Sequence, residues 1–95
     1  DRLLKAAGAV INLSGEDGMS LPGEGIHEMG TARMGDDPKQ AVLNKYNQAH
    51  DVPNLFVTDG SFMTSASCVN PSLTYMAFTA RACEYAVKQM AEGHI

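Results

Sequence analysis

The sequence predicts an α/β segment, and three observations carry that prediction. Residues 71–92 repeat apolar side chains at helical spacing, residues 54–59 form a short apolar run that ends in a turn, and residues 25–35 pack glycines around polar side chains. The chain has 95 residues, of which 44% are hydrophobic and 19% charged, as expected of an ordinary globular protein. At that length it buries only a modest share of its surface, so good packing or a partner is needed for it to stand alone. It begins Asp1-Arg2 with neither methionine nor a signal-peptide pattern, and reads as a segment excised from something larger.

Composition excludes several function classes. A formal charge of −4 with seven Lys and Arg argues against nucleic acid and against anionic membrane surfaces, which need clustered basic residues. No apolar run approaches the roughly 18 to 20 residues that span a bilayer. Cys68 and Cys83 match neither a CxxC pair nor a paired zinc set, and read as packing thiols. Asn12-Leu13-Ser14 has the form of a glycosylation sequon with no secretory context to support it.

The elements follow in order. Leu3, Leu4, Ala7, Val10 and Ile11 give residues 1–11 helix character, weakened at Gly8, and loop composition follows to residue 25. Asn54-Leu55-Phe56-Val57-Thr58-Asp59 suits a buried parallel strand ending at Gly60-Ser61, with ligands gathering beyond its carboxyl end. The helix over 71–92 begins with Asn70 as N-cap and Pro71 in its first position, and Gly93 stops it. Leu73, Met76, Ala77, Ala80, Cys83, Val87 and Met90 share one face, read as the core face.

In the stretch Gly25-Ile26-His27-Glu28-Met29-Gly30-Thr31-Ala32-Arg33-Met34-Gly35, glycine density implies tight backbone geometry. Gly30 and Gly35 give GxxxxG, but Asp36-Asp37 stands where a phosphate loop needs Lys-Ser/Thr. Imidazole exchanges protons near neutrality, so His27 is a candidate acid or base as well as a candidate structural residue. His50 and His94 read as surface residues. At the start of the C-terminal helix, free N–H groups favour an anion or an electron-rich ring, and Asn70, which on its own reads first as a plain N-cap, could also donate its amide to a substrate oxygen.

Taken together, His27-Glu28-Met29-Gly30-Thr31-Ala32-Arg33-Met34-Gly35, then Asn54-Leu55-Phe56-Val57-Thr58-Asp59-Gly60-Ser61, then Asn70-Pro71-Ser72-Leu73-Thr74, are similar to the C-terminal region of the glucose-methanol-choline (GMC) oxidoreductases. The wording is nearest to gluconate, sorbitol and glucose dehydrogenase flavoprotein subunits. The resemblance implies a piece of an FAD-binding, Rossmann-like enzyme that oxidises a CH–OH group of a sugar, sugar acid or polyol. It assigns His27 as the proton acceptor, Asn70 as its partner on the substrate oxygen, and Asp59, Gly60, Asn70, Pro71 and Ser72 as flavin contacts.

On that reading the chain divides into helix and loop (1–25), active-site motif and connection (26–53), strand and flavin-contacting turn (54–61) and C-terminal helix (70–92). FAD would be held only with the N-terminal portion of a longer parent, since the GxGxxG turn has no counterpart here, and the segment alone is expected to be inactive. The resemblance further implies a small alcohol or sugar substrate, a cytochrome as electron acceptor and a periplasmic or membrane-associated parent. Two other readings are a non-enzymatic docking module using the Met-rich helix face, and a metal site at His27, Cys68 and Cys83. The motif reading assigns no metal ligand.

Overall fold

Short backbone ladders, rather than a sheet, knit together the middle of the chain in the computed structural model, which describes residues 2–11, 21 and 23–95. The sequon at Asn12 and most of the loop expected to residue 25 lie outside the described residues. Near the start, α1 spans Arg2–Ala6. Gly8 ends this helix rather than merely weakening it: at φ +88° it lets the Gly8 N–H reach Lys5 O and the Ala9 N–H reach Leu4 O. That pair of bonds is a Schellman stop, which glycine adopts without a Cβ clash.

Three isolated bridges hold the central residues, Met34 with Leu43 in parallel and Leu43 with Ala49 and Gln48 with Phe56 antiparallel. The strand expected over 54–59 therefore needs correction. Phe56 pairs antiparallel with Gln48 through Ala49 N–H to Leu55 O at 2.9 Å and Val57 N–H to Asn47 O at 3.0 Å, and no longer ladder forms among the described residues. The physical reason is lateral: an apolar run becomes a sheet strand only if neighbours supply partners along its length, and this chain supplies three residues. A polar network closes the turn beneath it. Asn44 Oδ1 accepts from Tyr46 N–H, Asn44 Nδ2 donates to Gln48 Oε1, and Asn47, fully buried at φ +63°, donates from Nδ2 to Val57 O.

After a single 3-10 turn at Gly60–Phe62 the chain enters α2, Ser72–Ala91. Its C-terminus stops as the sequence predicts. Gly93, at φ +73°, donates to Met90 O and His94 N–H donates to Gln89 O, again the Schellman pair. Its N-terminus differs, because Pro71 rather than Asn70 occupies the cap position and makes no side-chain cap bond. The Asn70 side-chain oxygen is bonded elsewhere.

The face of α2 that packs in this chain is also not the expected one. Tyr75, Phe78, Thr79, Ala82, Tyr85 and Ala86 are buried or half-buried, while Leu73, Met76, Ala77, Ala80, Cys83, Val87 and Met90 are exposed. Phe62 stacks on Phe78 with centroids 4.7 Å apart and meets Tyr75 edge-on at 6.3 Å. Tyr85 stacks on Tyr46 at 4.0 Å, and the Arg81 guanidinium lies over Phe78 while donating to the Lys45 carbonyl. The core is small: Leu43, Ala49 and Phe62, ringed by Ala32, Met34, Val57, Met63, Tyr75 and Phe78. Neither cysteine is a packing thiol here, since both are free and exposed.

Candidate active site

Backbone bonds bring the glycine-dense stretch onto the 3-10 turn. Ala32 N–H donates to Ser61 O and Met34 N–H to Phe62 O, both at 3.0 Å, and Gly30, at φ +88°, turns the chain beside the Met63 and Thr64 carbonyls. His27, half-buried, stands at the entry to this stretch. Its Nε2 donates to the Asn70 Oδ1 at 3.1 Å across 43 residues of sequence. The two residues that the sequence singled out for proton transfer and substrate contact are thus direct neighbours. The Asn70 side-chain oxygen is engaged by His27, and Pro71, which stands in the cap position, has no side-chain acceptor, so the helix start is uncapped.

That start matters electrostatically. The first-turn N–H groups of a 20-residue helix, with no side-chain cap, present partial positive charge beside Asn70, Pro71 and Ser72. Pro71 is buried, whereas Asn70 and Ser72 are exposed and accessible to a ligand.

Asp59 and Gly60 lie on the other flank. Asp59 caps the 3-10 turn, its Oδ1 accepting from Ser61 N–H at 2.9 Å and from the Ser61 hydroxyl. The hydroxyl bond, followed by the backbone bond, holds the Asp59 carboxyl below its ordinary value, with slight burial opposing. Gly60 is buried without unusual backbone angles, and space is what excludes a side chain: a Cβ there would stand 2.6 Å from the Tyr75 hydroxyl and 3.0 Å from the Glu28 carbonyl oxygen. The turn therefore sits directly against the residue that follows His27.

Sequence reasoning missed Tyr75, whose hydroxyl contacts Met29 Sδ at 3.7 Å and so spans from α2 to the His27 stretch. Its position one turn past Pro71 was the available signal, obscured because the opposite helix face looked more apolar. Among the described residues, no group of three His, Cys, Asp or Glu side chains could hold a metal ion. No helix among them is long and apolar enough to cross a membrane.

Comparison with known proteins gives this arrangement a context. The sequence model described as GMC oxidoreductase matches residues 12–79. The chain is 43% identical to 2-methyl-1,2-propanediol dehydrogenase of Mycolicibacterium austroafricanum over 97% of its own length and 17% of that protein's. It is 34% identical to paromamine 6'-oxidase of Streptomyces fradiae, covering 99% of this chain and 17% of the relative. It is also 34% identical to the fructose dehydrogenase large subunit of Gluconobacter japonicus, over 70% of this chain and 12% of that one. The chain thus spans a small part of the length of the curated relatives it matches. No solved structure matches it.

Proposed function

This chain belongs to the GMC oxidoreductase family, and from that premise we propose that it supplies the proton-accepting side of an alcohol-oxidising site in a longer flavoprotein. The observation that carries the proposal is the His27–Asn70 contact, 3.1 Å long, at the uncapped start of α2. In this reading the substrate hydroxyl replaces that direct bond. Its oxygen accepts from the Asn70 amide nitrogen and its proton passes to His27 Nε2, once the imidazole proton resides on Nδ1 and the amide turns to present its nitrogen. The substrate class is a CH–OH group of a diol, polyol, sugar or sugar acid.

FAD fits the residues present, because the open N–H groups of α2 suit the electron-rich pyrimidine edge of an isoalloxazine ring. Asn70, Pro71 and Ser72 would lie along that edge, and Asp59 and Gly60 would approach the ribityl and diphosphate part. When bound, the flavin supplies the acceptor for the carbinol hydrogen as hydride. His27 and Asn70 hold and orient the hydroxyl, and the helix end favours negative charge where it develops. This segment alone would be inactive. A cytochrome acceptor and a periplasmic or membrane-associated setting belong to the same proposal.

The test uses the longer, flavin-loaded protein, with bleaching of flavin absorbance by a panel of small diols, polyols and sugars as the readout. His27→Ala is expected to slow flavin reduction by about 10²- to 10⁴-fold, the usual worth of a positioned base, and Asn70→Ala by less. Near-native reduction by His27→Ala would sink the assignment.

The exposed Leu73, Met76, Val87 and Met90 favour a second reading, a non-enzymatic module docking on another polypeptide through this face. A longer protein purified without flavin absorbance would support it. The contact between His27 and Asn70 weighs toward the enzyme, since docking through the outer face of α2 does not need it.

A further inference from the structure

We propose that His50 is a positioning residue for the stretch that carries His27, an inference that rests on the reading of His27 given above. The sequence places His50 on the surface; in the structure it is half-buried, with Nε2 3.0 Å from the Gly35 carbonyl oxygen. A carbonyl oxygen only accepts, so the ring proton sits on Nε2, and neutral imidazole suffices for the bond.

Gly35 is where the His27 stretch ends, and both of its backbone groups are engaged. Its N–H donates to Leu43 O at 2.8 Å, and its carbonyl takes the His50 ring. The chain at that point passes so close to Ala41 that a Cβ on Gly35 would stand 2.8 Å from the Ala41 Cβ. The backbone that carries the ring is itself anchored, because the His50 main-chain N–H donates to Val42 O at 3.0 Å. Between Gly30 and Gly35 the other bonds run from backbone to backbone: Ala32 and Met34 to the 3-10 turn, and Leu43 N–H to Arg33 O. His50 adds a side-chain bond at the exit of a stretch whose entry is the His27–Asn70 contact.

A stretch fixed at both ends keeps His27 in register with Asn70, and small misplacements of a reacting group reduce rates more than they reduce binding. The consequence falls on the rate at saturating substrate. Loss of one hydrogen bond of ordinary strength corresponds to about a fivefold change.

The experiment measures the limiting rate of flavin reduction in the longer, flavin-loaded protein with whichever alcohol of the panel above reduces it fastest. His50→Ala is expected to lower that rate about fivefold with flavin content and KM unchanged. His50→Gln, which offers an Nε2 donor at similar reach, restores most of it. On a His27→Ala background, His50→Ala slows reduction no further. A native limiting rate in His50→Ala, an effect confined to KM or thermal stability, or no recovery in His50→Gln overturns the proposal. Failure of His50→Ala to accumulate as folded protein also overturns it, because His50 is then a folding residue. Should His27→Ala alone reduce flavin at the native rate, the reading of His27 fails instead, whatever His50 does.

Discussion

The two faces of α2 differ in what completes them. One carries Tyr75, Phe78, Ala82 and Tyr85, and the chain itself packs Phe62, Tyr46 and Phe56 against three of these. The other carries Leu73, Met76, Val87 and Met90, which remain 66–79% exposed. Both repeat at helical spacing, so periodicity alone cannot rank them. The difference teaches that an apolar stripe records that a helix will be covered, whereas partners elsewhere in the chain decide which face is covered locally. The aromatic face places Tyr75 against Met29 and Gly60, so it is also the face that builds the candidate site.

The comparison can be broken most directly at Phe62. Phe62→Ala removes the ring shared by Tyr75 and Phe78, and about 3–5 kcal/mol of stability is expected to go with it in denaturant unfolding of the longer protein. A loss under 1 kcal/mol would mean the inner face contributes little.

The outer face gives the next largest effect. If it is covered in the longer protein, Val87→Asp buries a carboxylate or opens the contact, at a cost of about 2 kcal/mol or more. A change within about 0.5 kcal/mol, usual for surface substitutions, would show that the two faces differ in environment as well as in composition.

The smallest effect belongs to Asp59. Because its carboxyl is held below the ordinary value, its contribution is present above the unfolded-state pKa and is lost as pH falls through the folded one. The thermal midpoint of the longer protein should therefore fall on acidification below about pH 4, with Asp59→Asn showing a slightly shallower dependence. Identical slopes would remove Asp59 from the account. The group is largely exposed, so the difference is small.

Much of the candidate site was legible because its residues announce themselves locally. The stop at Gly93 came from glycine's access to positive φ, while the pairing of His27 with Asn70 was implied only by the family resemblance. Less legible were residues whose roles depend on distant partners. His50 looked like a surface residue because nothing near it in sequence reveals the Gly35 carbonyl, and Asn70 looked like a cap because His27 lies 43 positions away.

By itself the sequence determined the existence and the C-terminal stop of the long helix and the glycine-dense turn geometry, since these rest on residue type and short-range spacing, and its three ordered motifs carried the resemblance to the family. Only the tertiary structure decided that Phe56 pairs antiparallel with Gln48 rather than standing in a sheet, that Gly60 is required by the Tyr75 hydroxyl, and that α2 turns its aromatic face inward. The physical reason is common to all three. Hydrogen bonds between strands, steric room and burial are properties of pairs, and the second member of each pair is fixed by where the chain returns in space.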